Sequence, residues 1–163
     1  EKLRKFRKIW EKTRDLLILD LESWINEEVQ PFTLREKIER ERKRRVIDKY
    51  YREFIQIQSK YQPGKSSENY RHIVTELGSL LERFLKEYHR YDIRRPLSLI
   101  IEDLFKKHKL ISYVIYVSLI SLNKLYNIAK HNPKEKITEE NALQAIYIIE
   151  DLFKRYKEKL KLN

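Results

Sequence analysis

The residues with the clearest chemical potential stand in the segment LYNIAKH and just before it, where a lysine, an asparagine and a histidine recur at helical spacing. Lys124 lies seven positions before His131, so on a continuous helix it is only about 20° away, and Asn127 lies on the same face. A histidine can transfer protons near neutral pH, and a neighbouring cation can stabilise the charge that develops on a phosphate. The geometry therefore groups Lys124, Asn127 and His131 as a polar cluster. The alternative is that His131 only ends a helix, where the dipole favours a cation.

The order of signals from about Asn69 to Tyr156 resembles the HEPN family, an all-helical bundle found in prokaryotic defence ribonucleases, toxins and CRISPR-associated nucleases. The segments that carry the resemblance are LLERFLKEY, LSLIIEDLFKKHKLI, LYNIAKH and ITEENALQAIYIIEDLF. The family hallmark is an Arg, commonly followed by Asn, with a His a few positions later. Asn127 and His131 match it, whereas Tyr126 stands in place of the Arg.

The resemblance implies metal-independent RNA cleavage at a composite site formed by two subunits, with His131, Asn127 and, as a stand-in for the Arg, Lys124 as the candidate catalytic residues. Tyr126 carries no charge, and Lys124 lacks the planar fork with which an Arg grips phosphate oxygens. We therefore expect an inactive or much less active nuclease. The alternative function is a non-catalytic helical accessory subunit or interaction module of a DNA replication, repair or CRISPR complex.

A second candidate site is the run of cations around the sequence RKRR. The residues predicted to bind nucleic acid are Arg42, Lys43, Arg44, Arg45, Lys49 and Arg52. Upstream of them, Glu36, Glu39 and Glu41 neutralise neighbouring cations three and four positions away, whereas four adjacent cations at 42–45 surround the helix. Such a run can hold phosphates but cannot read bases. The alternative is a solvated charged helix.

The overall charge points to the same class of partner. The chain has 36 Lys and Arg against 25 Asp and Glu, a formal net charge of +11, which favours RNA or DNA. The absence of Cys indicates a cytoplasmic setting and excludes disulfides. No metal-ligand spacing and no Gly-rich phosphate loop is present, so we expect neither a metal nor a cofactor.

We expect no membrane partner, because the longest apolar run, LISYVIYVSLISL, is shorter than the roughly 20 residues that a spanning helix needs. The start at Glu1 without a Met indicates that an upstream region is missing. A homodimer or a larger protein complex is a possible assembly.

The elements that position these residues are helices, because the turn residues that sheets require are scarce and Gly occurs only twice. We predict an all-α, up-and-down helical bundle with a long N-terminal helical pair. Apolar spacing predicts a first helix to about Glu28, ended by Pro31. Thr33 and Glu36 form a capping box that starts the second helix, whose apolar stripe resumes at Val46.

The stretch QPGKSSEN, residues 62–69, is the clearest break in the chain. It divides a basic N-terminal helical pair, 1–62, from a HEPN-like bundle, 69–163, and we expect the two to pack as one compact unit. Beyond the break we predict a third helix, a short fourth helix from Pro96 and a fifth from about Ser112 to His131. Thr138 caps the last helix. His72, His89 and His108 are expected at the surface.

Overall fold

The structure, a computed structural model, describes residues 30–162. The first predicted helix, to about Glu28, lies outside the described residues. The elements are α1 (Gln30–Gln58), α2 (Ser67–His89), α3 (Leu97–Glu102), a π-helical turn (Asp103–Lys107), α4 (Tyr113–His131) and α5 (Glu139–Leu162). No strand occurs in this range, and the predicted all-α helical bundle is confirmed. The chain divides into two compact units, Glu1–Arg42 and Lys43–Asn163, and α1 contributes residues to both.

The start of α1 differs from the prediction. The helix begins at Gln30, so Thr33 lies inside its first turn and does not start it. Pro31 is the second helical residue, where its missing N–H removes no hydrogen bond because the first N–H groups of a helix have no partner within it. A proline that was expected to separate two helices is therefore accommodated inside the first turn of one.

Side-chain hydroxyls cap the starts of three later helices, and the predicted cap at Thr138 is one of them. The hydroxyl of Ser66 accepts a hydrogen bond from the backbone N–H of Asn69 at 3.4 Å and so caps α2. The hydroxyl of Ser112 does the same at the start of α4, and the hydroxyl of Thr138 accepts from the N–H of Asn141 at 3.3 Å before α5. Each cap satisfies an N–H group that the helix itself leaves without a partner.

The core of the second unit is formed by one face of each long helix. Phe84 of α2 lies near its centre, with its ring centroid 4.9 Å from that of Phe153 and 5.1 Å from that of Tyr156 in α5. The apolar faces of α2 and α5 are buried, namely Tyr70, Val74, Leu77, Leu81, Phe84 and Tyr88 in α2 and Ala142, Ala145, Ile149, Leu152, Phe153 and Tyr156 in α5. Their spacing of three and four residues placed them on one side of each helix.

A glycine fixes how closely α4 approaches α2. Gly78 is buried inside α2, and a Cβ built on it would lie 2.2 Å from Cγ of Tyr126 and 2.7 Å from its Cβ. The ring of Tyr126 therefore packs directly on the α2 backbone. Glycine weakens a helix interior by about 1 kcal/mol relative to alanine, and here it makes room for an aromatic ring.

His89 departs from the expectation that the histidines lie at the surface. His72 and His108 are exposed, but His89 is partly buried at the end of α2, with Nε2 2.7 Å from the hydroxyl of Tyr156. The prediction failed for His89 because the last turn of α2 packs against α5, a contact between residues far apart in the sequence.

Candidate nucleic-acid interface

The predicted catalytic residues lie on the outward face of α4. Lys124, Asn127 and His131 are all exposed, and α4 is continuous from Tyr113 to His131, so the helical repeat keeps the three on one face. Within residues 30–162, no hydrogen bond or ion pair joins any two of them. They form an exposed polar row at the end of the helix, and His131 is the last helical residue.

Tyr126 faces the opposite way. Its side chain is buried against Gly78, while its hydroxyl, 3.3 Å from the donating Nζ of Lys130, lies at the edge of the core. The same Nζ lies 5.3 Å from the ring centroid. Where the HEPN hallmark has an Arg, this chain therefore has an uncharged ring that packs in the core.

Arg71 of α2 holds the end of α4. Its guanidinium donates to the backbone oxygens of Ala129 at 2.6 Å and Ile128 at 3.4 Å, and also to those of Pro133 and Glu135 in the following loop. These carbonyls include groups that a helix leaves unpaired at its C-terminus. The sequence analysis missed this residue, because nothing in the sequence around Arg71 distinguishes it from the many other arginines.

The loop after α4 is tied to α2 at a second point. The backbone N–H of Ile137 donates to the hydroxyl of Ser67 at 3.0 Å, and the side chain of Asn132 donates to the carboxylate of Glu135 at 3.0 Å. Together with Arg71, these bonds give the loop a defined position beside the first turns of α2.

A carboxylate network lies at the same end of the bundle. Glu139, the first residue of α5, accepts hydrogen bonds from the hydroxyls of Tyr61 at 2.6 Å and Tyr70 at 3.1 Å and from the N–H of Gly64 at 3.2 Å. The hydrogen bond to Glu139 raises the pKa of Tyr61 to about 12. The same bond, followed by that from Gly64, holds the pKa of Glu139 below its usual value. This network joins the loop before α2 to the start of α5.

Several lysines around the end of α4 have no acidic partner among residues 30–162. We define the α4-end surface as Lys124, Lys130, His131, Lys134 and Lys136, all of which are exposed. None of its four lysines forms an ion pair in the part of the chain that the structure describes. Glu135 is the single acidic residue between positions 124 and 138, so the surface carries a local excess of positive charge.

The predicted clamp on α1 divides into two partly buried cations and four exposed ones. Arg42 forms an ion pair with Glu39 at 2.7 Å, so the expectation that the RKRR run is not neutralised is wrong for its first residue, because Glu39 lies three positions before it on the same side of the helix. The Nζ of Lys43 lies 5.5 Å from the ring centroid of Tyr88, and this side chain is half-buried.

The remaining four predicted residues are exposed on α1. We call them the α1 basic face: Arg44, Arg45, Lys49 and Arg52. Lys49 donates to Glu87 at 2.7 Å, which raises the pKa of Lys49, and Nε of Arg52 donates to the backbone oxygen of Asp48 at 3.2 Å. The opposite face of this part of α1 is buried in the core.

An apolar groove follows α4 and α5 on another side of the second unit. Its volume is about 560 Å³, and Ser118 and Ser121 line it together with the edges of larger side chains. Beside it, Val114 is 70% and Tyr147 65% exposed, a degree of exposure that is uncommon for large apolar side chains standing together. We call this region the α4–α5 groove.

The described residues thus define an all-α helical bundle with exposed cations on two surfaces and an apolar groove on a third. None of the helices within residues 30–162 combines the length and the apolar character needed to cross a bilayer. Comparison of the chain with family models, with curated proteins and with solved structures gives no match. The resemblance to the HEPN family therefore stays a prediction.

Proposed function

We propose that this protein binds nucleic acid by holding its phosphate backbone on the α1 basic face. The observation that carries the proposal is that Arg44, Arg45 and Arg52 are exposed along a helix whose opposite face is sealed in the core. Arg presents five donors in a rigid fork that matches phosphate oxygens. The net charge of +11 adds long-range attraction for a polyanion.

The rigidity of this part of α1 supports the proposal. Val46, Ile47, Tyr50 and Phe54 are at most 5% exposed, so this part of the helix cannot rotate without removing them from the core. The backbone positions that carry the cations are thereby fixed before a ligand arrives, which lowers the entropy cost of binding. Contacts of this type fix orientation but carry no sequence information.

We further propose that the protein has HEPN-like character without efficient catalysis. The row of Lys124, Asn127 and His131 offers a proton-transfer group and a cation, but the position of the family Arg is the buried Tyr126. A lysine ammonium is a point charge that cannot make the bidentate contact of an Arg with a phosphate. A transition state on RNA would therefore lack much of its stabilisation.

Binding is tested by measuring the affinity for labelled duplex RNA and DNA over a range of salt concentrations. The slope of log K against log salt is negative, and each lost phosphate contact reduces its magnitude by about 0.9. The variant Arg44→Ala/Arg45→Ala/Arg52→Ala should therefore reduce the slope by about 2 to 3 units. A matched control, Arg94→Ala/Lys107→Ala/Lys154→Ala, removes as many exposed cations from other places and should change the slope much less. Equal effects of the two variants would refute the α1 basic face as the binding surface.

Catalysis is tested by incubating a labelled RNA with the purified protein and with His131→Ala. We expect the two to give the same background cleavage. Cleavage that is present in the wild type and absent in His131→Ala would show an active nuclease, and it would refute the proposal that catalysis is lost.

The α4–α5 groove favours a second candidate function, that of a non-catalytic helical subunit that assembles through this face. A second copy of this chain is the occupant that fits best. The groove is lined by the small Ser118 and Ser121, and beside it project the exposed side chains of Val114, Val117 and Tyr147. An isologous contact needs a projection and a matching recess on the same patch. Sedimentation should then show a dimer, and Val117→Glu should dissociate it. Ile93→Glu is the control, at a residue outside the groove that is 82% exposed, and it should leave the dimer intact. A monomeric wild type would refute this candidate.

A further inference from the structure

We infer that the α4-end surface is a second phosphate-binding surface, whose ligand is the backbone of duplex nucleic acid. The inference rests on the proposed function for the class of ligand, but it concerns residues and an element other than those of the α1 basic face. It also assigns a function to Arg71, a residue that neither candidate site in the sequence included.

The first step concerns the end of the α4 helix. The C-terminus of a helix carries a partial negative charge on its unpaired carbonyl groups, which repels phosphates. Here the guanidinium of Arg71 donates to the carbonyl oxygens of Ile128 and Ala129 and, in the following loop, to those of Pro133 and Glu135. A full positive charge therefore lies on two of the last carbonyl groups of α4, which would otherwise oppose an anion.

The second step concerns the position of the loop. The bonds from Arg71 and the bond between Ile137 N–H and the Ser67 hydroxyl, at 3.0 Å, tie both parts of the loop to α2. Lys134 and Lys136 are exposed on this fixed backbone. The flexible part of the surface is thus limited to the lysine side chains themselves, which a phosphate backbone can order individually.

The third step is the balance of charge. Between positions 124 and 138 the four lysines of the surface are accompanied by one acidic residue, Glu135, whose carboxylate already accepts a hydrogen bond from Asn132, and the nearby Glu139 carboxylate accepts hydrogen bonds from Tyr61, Tyr70 and Gly64. Among the described residues, Lys130 contacts the neutral hydroxyl and ring of Tyr126. On the α1 basic face, by contrast, Lys49 is bound to Glu87 at 2.7 Å.

The fourth step separates nucleic acid from a protein partner. Between Val117 and Tyr147, none of the large hydrophobic residues that the structure describes is exposed. Protein interfaces are centred on apolar and aromatic side chains, whereas interfaces with DNA are polar and strongly positive. The lack of an exposed aromatic ring also argues against a single strand, whose bases bind by stacking. A surface of lysines that exposes no aromatic ring for bases to stack on therefore fits the backbone of a duplex.

The inference is tested with the variant Lys130→Ala/Lys134→Ala/Lys136→Ala in the full chain. We expect it to bind duplex RNA or DNA with a salt slope about 2 to 3 units smaller than that of the wild type. The exposed-cation control used for the α1 basic face serves here as well. If the wild type binds and the α1 variant alone reduces the slope, the inference fails while the proposed function stands. If the wild type binds no nucleic acid, both fail.

Two further outcomes would overturn the assignment of the ligand. Polyglutamate that binds as tightly as a duplex, and that the lysine variant no longer binds, would identify an acidic protein as the partner. A single strand that binds more tightly than the duplex and loses its affinity in the same variant would refute the duplex. The expected order is duplex first, then single strand, then polyglutamate.

Arg71 is tested as a positioning residue, because its guanidinium contacts carbonyl groups and not the ligand. Arg71→Gln should weaken duplex binding about twofold to fivefold, the range that a helix dipole gives, and Arg71→Lys should recover part of this loss. The measurement is made at low temperature, with folding verified by circular dichroism, and on the folded protein only. If Arg71→Gln remains folded and binds like the wild type, the covering of the α4 end has no part in binding. If it does not fold, the affinity of Arg71→Lys decides, and an affinity equal to that of the wild type would overturn the role of the guanidinium.

Discussion

Gly78 offers a sharp test of the packing that positions α4. The change Gly78→Ala would normally stabilise a helix by about 1 kcal/mol. Here the added Cβ would lie 2.2 and 2.3 Å from the Cγ and Cδ2 atoms of Tyr126, and 2.7 Å from its Cβ. The ring cannot turn away from a contact so close to its own backbone. Overpacking of this kind costs about 1–3 kcal/mol, and we expect the upper end. The net result is a loss of about 2 kcal/mol in the free energy of unfolding.

Urea unfolding of a double-mutant cycle measures this contact directly. Tyr126→Ala should remove about 3–5 kcal/mol, as truncation of a buried aromatic does. In the Tyr126→Ala background the ring is gone, but the Cβ of residue 126 still lies 2.7 Å from the Cβ that Gly78→Ala adds, so Gly78→Ala should stay destabilising by a smaller amount. The cost of Gly78→Ala should therefore be clearly smaller in the Tyr126→Ala background than in the wild type. If Gly78→Ala stabilises the wild type, the close approach of α2 and α4 described above is wrong.

The same packing predicts the outcome of restoring the HEPN hallmark. Tyr126→Arg would place a guanidinium against Gly78 in the core, and an unpaired buried charge destabilises a protein by several kcal/mol. We expect this variant to unfold at much lower urea concentrations and to gain no nuclease activity. A well-folded Tyr126→Arg variant that cleaves RNA would refute this account of position 126.

Two further predictions concern buried or shared polar contacts. The pKa of Glu139 is lowered in the folded state because the hydroxyl of Tyr61 donates to its carboxylate. The ionised carboxylate therefore stabilises the fold at pH values above the pKa that Glu139 has in the unfolded chain. This stabilisation is lost as the pH falls through the pKa that Glu139 has in the folded protein. Glu139→Gln should therefore lower the urea midpoint at pH 7 and flatten the decrease of this midpoint below about pH 4.5. The neighbouring Glu140→Gln is the control and should leave the dependence of the midpoint on pH unchanged. Identical profiles of midpoint against pH for the two variants would contradict the network. Tyr156→Phe removes the 2.7 Å contact with His89 and should lower the free energy of unfolding by about 1–2 kcal/mol. The control Tyr147→Phe, at an exposed tyrosine, should change this free energy little. Equal losses in the two variants would mean that the contact with His89 contributes nothing.

The sequence predicted the elements best where a local signal and a periodic signal agreed. Ser112 precedes a long apolar segment, and Thr138 precedes the apolar stripe of α5, so the cap and the stripe indicated the same starts. At Thr33 the local signal stood alone. The capping box there had no apolar stripe behind it, and the helix begins at Gln30 instead.

The candidate site was only partly predictable. The spacing of Lys124, Asn127 and His131 gave their common face correctly, because a continuous helix fixes the angle between residues. The pairing of Arg42 with Glu39 was also within reach, since it follows the same rule of three and four residues. The contacts of Arg71 could not be predicted, because Arg71 lies in α2 and its partners lie 57 to 64 positions later in the chain.

By itself, the sequence determined the helical class of this protein, the caps and inward faces of its later helices, and its excess of positive charge. These are properties of neighbouring residues, set by hydrogen-bond periodicity and by the removal of apolar side chains from water. Only the tertiary structure decided that Lys49 of α1 pairs with Glu87 of α2, that Tyr126 lies against Gly78, and that Arg71 contacts the end of α4. Such contacts join helices that are distant in the chain, and their geometry depends on how closely those helices pack.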